Sequence, residues 1–369
     1  QVYDELDIHF SFDKRLYSES DVTPELIDRL QTLCTAKYNA PTYPAEEFRQ
    51  TILHEMKTEI HTMAELNDNF IGCIHRQLTD RHMLYTKEFT SDGCLAQDTF
   101  SGVLKVTVLV FNVLLDNTQY TLTVSGHPVG QGVIAPNFNL MDTVKTAAGN
   151  AGASNAAGSA DNSCEAESAP ASAVATAGSS GVSGAGSAAT AGDSSTTGSS
   201  SAGNTVTAST RFKRLELHNH TVESDGSLTC QELTEYLAAD HVDAFAITDH
   251  NTTSGQKKIE QLLEEKHYPI SLIRGMEYTT YFGHILCLNL AKYVPWNSID
   301  QHRPELLFEA AREKGALVGI AHPFSYGDPF ARGCRFEMTI SDYSKVDFIE
   351  IFNNPEPLHE VNERGTNLW

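Results

Sequence analysis

A low-complexity stretch over residues 144–210 is the feature that most limits how this chain can fold. It is built mostly of Ala, Gly, Ser and Thr. Such a composition buries too little apolar surface to offset the conformational entropy lost on folding, so we expect a disordered tether. The chain of 369 residues is therefore predicted to contain an accessory domain over 1–143 and a second domain over 211–369.

Composition argues against several classes of protein. The formal net charge is -22, from 48 acidic and 26 basic residues. That balance disfavours a nucleic-acid or anionic membrane surface, because both need clustered Lys and Arg. No apolar run approaches the roughly 18 to 20 residues of a membrane helix, and the N-terminus lacks a secretory pattern. Seven cysteines without a C-x-x-C pair predict free thiols and a cytoplasmic protein.

Residues 1–143 have the pattern of an α+β domain. A helix is predicted to begin at Pro24, after a threonine that can cap it. A longer helix is predicted to begin near Pro44, with apolar residues every three or four positions up to Met63. Two alternating segments, 104–108 and 120–124, flank a turn sequence and predict a β-hairpin.

The accessory region contains an incomplete zinc-protease motif. His54-Glu55 begins it, but Thr58 stands where the second histidine is required. His61 is seven residues from His54, which is two helical turns and too far to substitute. We therefore interpret these histidines as surface or packing residues.

From residue 211 onward, apolar strand patterns alternate with helical ones. A capping box, Thr229 to Glu232, opens one helix, and Pro304 opens another that Gly315 ends. Repeated β–α units of this kind predict a largely parallel sheet or barrel. The predicted strands cover residues 215–217, 244–247, 270–273, 284–288, 317–320 and 348–351.

Side chains that can bind metal ions recur at the ends of these strands. In parallel α/β folds the carboxyl ends of the strands meet on one face, where sites are built. Two imidazoles at positions i and i+2 of an extended chain point the same way, about 6.6 Å apart, and can reach one ion. Histidine and carboxylate suit Zn²⁺, Mn²⁺ or Fe. The candidates are His218, His220, Asp225, Asp249, His250, Glu277, His284 and His322.

The motifs around these residues form a recognisable set, in the segments 217–221, 224–226, 247–252, 275–277, 283–284 and 321–323. Together they resemble the PHP (polymerase and histidinol phosphatase) superfamily. The residues of Thr248–Thr252 and Glu277–Thr280 are similar to those of its CehA/McbA-like branch. The resemblance covers residues 211–369, under half of the chain.

The resemblance implies a distorted (β/α)7 barrel with two or three divalent ions (Mn, Zn or Fe) at the carboxyl ends of its strands. It implies Asp249 as a partner that orients an imidazole. It also implies a late Asp-x-His segment, which does not occur before Trp369, so we expect a chain that is incomplete at its C-terminus. The implied ligands are His218, His220 and Glu277 for a first ion, Glu277, His284 and His322 for a second, and Asp225 and His250 for a third.

These observations predict a metal-dependent phosphoesterase that uses a metal-bridging hydroxide against a small phosphorylated substrate. Arg332 and Arg335, soon after His322, are candidates for phosphate contact. Nucleic acid is a less attractive substrate, because the acidic balance would repel a polyanion. Two alternatives stay open: a carboxyl- or carbamate-ester hydrolase on the same site, and a metal-binding regulatory module without turnover.

Overall fold

The computed structural model describes residues 2–38, 40–76, 78–129, 213–296, 300, 302–327 and 329–353. The predicted tether over 144–210 lies outside these residues. The described residues up to Val129 and those from Arg214 onward belong to one compact mixed α/β unit. None of the helices in the described ranges is both long and apolar enough to cross a membrane.

Two antiparallel three-stranded sheets and two helices make up residues 2–129. The elements are β1 (Tyr3–Phe12), α1 (Pro24–Tyr38), α2 (Ala45–Glu55), β2 (Glu59–Leu66), β3 (Asn69–Ile74), β4 (Asp80–Tyr85), β5 (Leu104–Asn112) and β6 (Tyr120–Pro128). One sheet has the order β4-β1-β6 and the other β3-β2-β5. The start of α1 at Pro24 agrees with the prediction.

The long helix predicted from Pro44 is wrong in its second half. Helix α2 ends at Glu55, and Met56 already has extended backbone angles. Ile60 and Met63 then lie in β2, which is buried on both faces over seven of its eight residues. A strand without a solvent face has no alternating pattern, so spacing alone could not distinguish it from a helix.

The predicted β-hairpin is also wrong. Strand β5 pairs with β2, and β6 pairs with β1 in the other sheet. The turn between them does form, with the amide of Thr118 donating to the carbonyl of Leu115 at 3.0 Å. Local alternation identifies strands but does not choose their partners, because any matching apolar face can satisfy a strand.

The C-terminal region forms one six-stranded sheet flanked by helices. Its elements are β7 (Leu215–Glu216), α3 (Cys230–Ala239), β8 (Ala244–Ile247), α4 (Ser254–Lys266), β9 (Ser271–Thr280), β10 (Gly283–Leu288), α5 (Glu305–Glu313), β11 (Leu317–Ile320) and β12 (Phe348–Ile349). The strands lie side by side in chain order. The predicted capping box of α3 is confirmed, with Thr229 and Glu232 bonded to each other's backbone amides.

This sheet is mixed rather than largely parallel. β10 runs antiparallel to both β9 and β11, while β7, β8 and β9 are parallel to one another, as are β11 and β12. The tight turn from Thr280 to Gly283 explains the reversal, because a parallel connection needs a dozen or more residues.

The sheet is strongly curled. If it were flat, its two edge strands would lie about 24 Å apart, at about 4.8 Å for each pair of strands. Yet the residues that follow those edge strands touch, with His218 Nδ1 at 3.0 Å from Glu350 Oε1. The curvature brings the ends of strands from across the sheet to one place. A complete (β/α)7 barrel stays a prediction.

Candidate metal centre

Glu277 is the centre of a buried polar cluster. Its side chain is fully enclosed. Oε2 lies 2.9 Å from His218 Nε2 and 3.2 Å from His220 Nε2. Oε1 lies 2.9 Å from His284 Nδ1 and 3.0 Å from His322 Nε2. Each carboxylate oxygen therefore faces a different set of imidazoles, an arrangement in which one carboxylate can bridge two cations.

The hairpin of β9 and β10 sets the first part of this cluster. Glu277 pairs with Leu286, and Thr279 pairs with His284, so Glu277 and His284 are diagonal neighbours on one face. The prediction that Glu277 follows a strand ending at Ile273 was wrong, because β9 continues to Thr280. The switch from apolar to polar residues along β9 reflects a change in the surroundings of the strand and does not mark its end.

Burial and neighbouring charges both shift the pKa values of the residues in this cluster. Burial by itself would raise the pKa of Glu277, but His218, His250 and His284 lower that pKa well below its usual range. Burial opposes the charge of His218 too, yet Glu350 and Glu277 raise its pKa well above the ordinary value. Burial lowers the pKa of His284 to about 4, which leaves this imidazole neutral at pH 7. Neutral imidazole is the form that binds metals.

Asp225 forms a second cluster beside the first. Its Oδ2 lies 3.4 Å from His250 Nε2 and 3.6 Å from His75 Nε2. Its Oδ1 lies 3.8 Å from His220 Nδ1. His250 connects the two clusters, because its Nδ1 lies 3.2 Å from Glu277 Oε2.

Asp249 fixes the loop that carries His220 and Asp225. Its Oδ1 accepts hydrogen bonds from the Thr221 amide and the Ser224 hydroxyl, both at 2.7 Å, and its Oδ2 accepts from the Thr221 hydroxyl at 2.9 Å. The hydrogen bonds described for Asp249 thus go to the loop, whereas the prediction had it orient an imidazole. Burial raises its pKa despite these bonds.

Two of the strand-end residues have left-handed backbone angles. His322 has φ 25° and Asn251 has φ 54°. The amide group of Asn251 donates to the Thr279 carbonyl at 3.0 Å and accepts from the Thr279 amide at 2.9 Å. The His322 amide donates to Glu350 Oε2 at 2.9 Å. Because such angles cost about 1 to 3 kcal/mol at non-glycine residues, these bonds hold the site in a strained shape.

Sequence reasoning missed Glu350 and His75. Glu350 follows β12 directly, so the strand-end signal that identified the other candidates could have identified it as well. His75 follows β3 in the other region, where no signal in the sequence connects it to Asp225. His61, interpreted as a packing or surface residue, is fully buried, with its ring 4.0 Å from that of His75.

The predicted phosphate-contacting arginines lie beside aromatic rings. The Arg332 guanidinium lies over the Tyr281 ring at 3.9 Å, and the Arg335 guanidinium lies 5.3 Å from the Tyr38 ring. Between them, the Cys334 carbonyl lies 3.1 Å from His322 Nδ1. Both arginines therefore flank a segment that contacts the cluster.

The residues present fit divalent cations. Nitrogen and carboxylate oxygen are the ligands of catalytic zinc and related ions. His284 Nε2 is buried without a hydrogen-bond partner, which is costly unless a ligand satisfies it. Within the Glu277 and Asp225 clusters, three groups of ligand atoms each lie within 4.8 Å of one another: His218, His220 and Glu277; His250, Glu277 and His284; and His75, Asp225 and His250.

Comparison with known proteins gives partial matches. Residues 2–128 match a family of unknown function, DUF6669. The chain is 36% identical over 141 residues to a 5'-3' exoribonuclease of Haemophilus influenzae, covering 36% of this chain and 50% of that protein. It is 30% identical over 112 residues to uncharacterized protein MJ1587 of Methanocaldococcus jannaschii, covering 30% of this chain and 58% of that protein. The chain thus spans about half the length of these relatives.

One solved structure is a two-domain protein of Bacteroides vulgatus, described as containing a predicted PHP-like metal-dependent phosphoesterase. It is 23% identical, with a TM-score of 0.26, and the match covers 30% of this chain and 35% of that one. The CehA/McbA-like branch stays a prediction.

Proposed function

We propose that this chain is a metal-dependent phosphoesterase. The observation that carries the proposal is the Glu277 carboxylate, whose Oε2 faces three imidazoles and whose Oε1 faces two, all within 3.2 Å. Divalent ions held there would supply a water of lowered pKa as nucleophile and would neutralise charge on the phosphate oxygens.

The chain's own residues would position this chemistry. Glu277 would set the separation of two ions, with His218 and His220 on one side and His284 and His322 on the other. Glu350 lies at Nδ1 of His218, so it would hold that ring with Nε2 towards Glu277. Asp249, through the 221–224 loop, would keep His220 in place for one of these ions and Asp225 in place for a third.

The test compares two chromogenic esters. We expect the full chain, loaded with Mn²⁺ or Zn²⁺, to hydrolyse p-nitrophenyl phosphate faster than p-nitrophenyl acetate. The reverse order would favour the carboxyl- or carbamate-ester alternative. Hydrolysis of neither ester would favour a metal-binding module without turnover and would overturn the proposal.

A variant separates true turnover from a contaminant. His322→Ala removes one imidazole from Glu277 Oε1, and we expect the loss of phosphate hydrolysis with retained circular dichroism. His302→Ala, which changes an exposed histidine, serves as the matched control and should keep full activity.

RNA hydrolysis from a 5' end is a second candidate, favoured by the 5'-3' exoribonucleases among the relatives. Tyr281 lies in the turn before His284, with Arg332 against its ring, and such a pair can stack on a nucleic-acid base. A 3'-labelled oligoribonucleotide should shorten progressively from its 5' end if this candidate holds. Tyr281→Leu should then slow RNA hydrolysis while leaving p-nitrophenyl phosphate hydrolysis unchanged.

A further inference from the structure

We infer that His75, from the N-terminal region, is a metal ligand that forms a third cation site together with Asp225 and His250. The inference rests on the metal centre of the proposed function, but not on which bond the protein cleaves. It adds to the site a ligand from the part of the chain that matches the family of unknown function.

Geometry supports this assignment. His75 Nε2 and His250 Nε2 lie 3.6 Å and 3.4 Å from the same oxygen, Asp225 Oδ2. These separations exceed a good hydrogen bond, which is at most about 3.2 Å. They match the spacing of about 3.4 Å between two ligands that each lie about 2.1 Å from a tetrahedral ion. Two histidines and one carboxylate also form a common ligand set of catalytic zinc.

The burial of His75 needs a reason. Its side chain is 7% exposed, and its Nδ1 is buried without a hydrogen-bond partner. Its ring stacks on that of His250, with centroids 4.1 Å apart and an interplanar angle of 27°. An apolar ring would pack there without the cost of burying unsatisfied nitrogen, so packing alone does not explain a histidine.

Contacts between the two regions fix His75 in place. The Gly93 amide donates to Glu223 Oε2 at 3.0 Å, and the Thr252 hydroxyl donates to the Gly93 carbonyl at 2.9 Å. Arg76, next to His75, donates to the Gly226 carbonyl at 3.3 Å. These bonds reach the two loops that carry Asp225 and His250, so the three candidate ligands are held by one set of contacts.

A rival position for the ion lies on the other side of His75. Glu59, His61 and His75 also bring three ligand atoms within 4.8 Å, and His61 Nε2 lies 3.3 Å from Glu59 Oε1. We favour the Asp225 side because two imidazole nitrogens there face one carboxylate oxygen. The Asp225 side chain is also 18% exposed, whereas that of His61 is 0% exposed.

Zinc counting tests the inference in the full chain. The protein is stripped with chelator, dialysed against Zn²⁺, gel-filtered and analysed by mass spectrometry for zinc. His75→Phe keeps a ring between His61 and His250 but removes both nitrogens. We expect it to bind one zinc ion fewer per chain and to show a smaller zinc-induced rise in Tm.

Asp225→Asn should lose the same ion, and the double variant should lose no more. The exposed His54→Phe is the control and should bind as the wild type does.

A gain-of-signal variant covers the case in which His75→Phe fails to fold. In His75→Cys loaded with Co²⁺, a ligating thiolate adds a near-ultraviolet charge-transfer band that the wild-type protein lacks. We expect that band, and expect it to disappear when Asp225→Asn is added.

Several outcomes would overturn the inference. They are unchanged zinc content in folded His75→Phe, absence of the new band in His75→Cys, or loss of the ion in Glu59→Gln but not in Asp225→Asn. None of these readouts depends on turnover. Loss of one zinc in a protein that hydrolyses no phosphate ester would refute the proposed function and leave this inference standing.

Discussion

The Glu277 and Asp225 clusters differ in how they are built. Among the described residues, the imidazoles that contact Glu277 all come from the C-terminal region, and these five lie within 3.2 Å of its oxygens. Asp225 draws partners from both regions at 3.4 to 3.8 Å. One cluster depends on the curled sheet alone, and the other also depends on packing between two distant parts of the chain. Damage to that packing should therefore affect the Asp225 cluster and spare the Glu277 cluster.

Glu277→Gln should have the largest effect and should disrupt the Glu277 cluster itself, because it removes the charge that five imidazoles contact. We expect phosphate hydrolysis to fall by about 10³-fold, as for loss of a main electrostatic group in an active site. We also expect the unfolding free energy of the metal-free protein to fall by about 3 kcal/mol, because a buried charge pair loses one partner. Steady-state kinetics and denaturant titration measure the two effects.

The matched control for this variant is Glu260→Gln, which removes a partly exposed carboxylate that pairs with Arg274. It should cost under about 1 kcal/mol and leave hydrolysis unchanged. Full activity in Glu277→Gln would contradict the central position given to this residue.

Glu350→Gln should weaken the Glu277 cluster without removing any of its candidate ligands. Glu350 contacts His218 Nδ1 and accepts the His322 amide hydrogen, so its charge supports two imidazoles. We expect zinc affinity to fall by about 10- to 100-fold, measured by competition with a chromogenic chelator. Glu309→Gln, which affects only a surface pair with Lys345, should bind zinc as the wild type does. Equal affinity in both variants would refute the role given to Glu350.

Gly93→Val should affect the Asp225 cluster selectively. Gly93 has φ 79°, and a Cβ atom there would lie 2.3 Å from the Cys73 carbonyl and 2.9 Å from the Glu223 carbonyl. We expect the unfolding free energy to fall by about 1 to 3 kcal/mol and one zinc ion to be lost while the others remain. Thermal unfolding and zinc analysis check this expectation.

Gly102→Val is the control for Gly93→Val. Gly102 also has a positive φ, 115°, but its added Cβ would meet the side chain of Asn67 within the N-terminal region. It should destabilise the protein without loss of zinc. Equal zinc loss in both variants would show that general destabilisation, and not packing between the regions, governs the third ion.

Asp92→Asn should have the smallest effect. Its carboxylate lies 3.2 Å from Lys258 Nζ across the two regions, but the pair is about half exposed and Lys258 keeps its contact with Glu223. We expect a change in unfolding free energy below about 1 kcal/mol, similar to that of Asp240→Asn at the surface pair with Arg214. A loss of zinc would show that this exposed pair, and not the bonds of Gly93, holds the regions together.

The sequence predicted local elements well where a signal was complete within a few residues. β8 and β11 have the predicted bounds, and α3 begins at its capping box. Cys230 and Cys287, which lie in apolar stretches of the sequence, are buried core residues. The helix predicted from Pro44 to Met63 wrongly includes the first part of β2, because a strand buried on both faces has no alternating pattern.

Within the site, the strand-end pattern gathered seven of the candidate ligands without knowledge of the fold, and the structure brings their side chains together. For His218, His220, His250 and His322 it could do so because each follows a strand whose direction is fixed by the local order of strand, loop and helix. Glu277 lies within β9 and His284 near the start of β10, where the turn between the two strands brings them together. The roles of individual residues as ligands stay predictions.

The sequence alone therefore predicted seven of the polar residues that meet in the C-terminal region and where most of its elements begin and end. Tertiary structure decided the curl that joins His218 to Glu350 and the position of His75 beside Asp225. The physical reason is distance along the chain. Strand pairing and docking between residues 150 positions apart depend on complementary surfaces, and no local pattern in either segment records its partner.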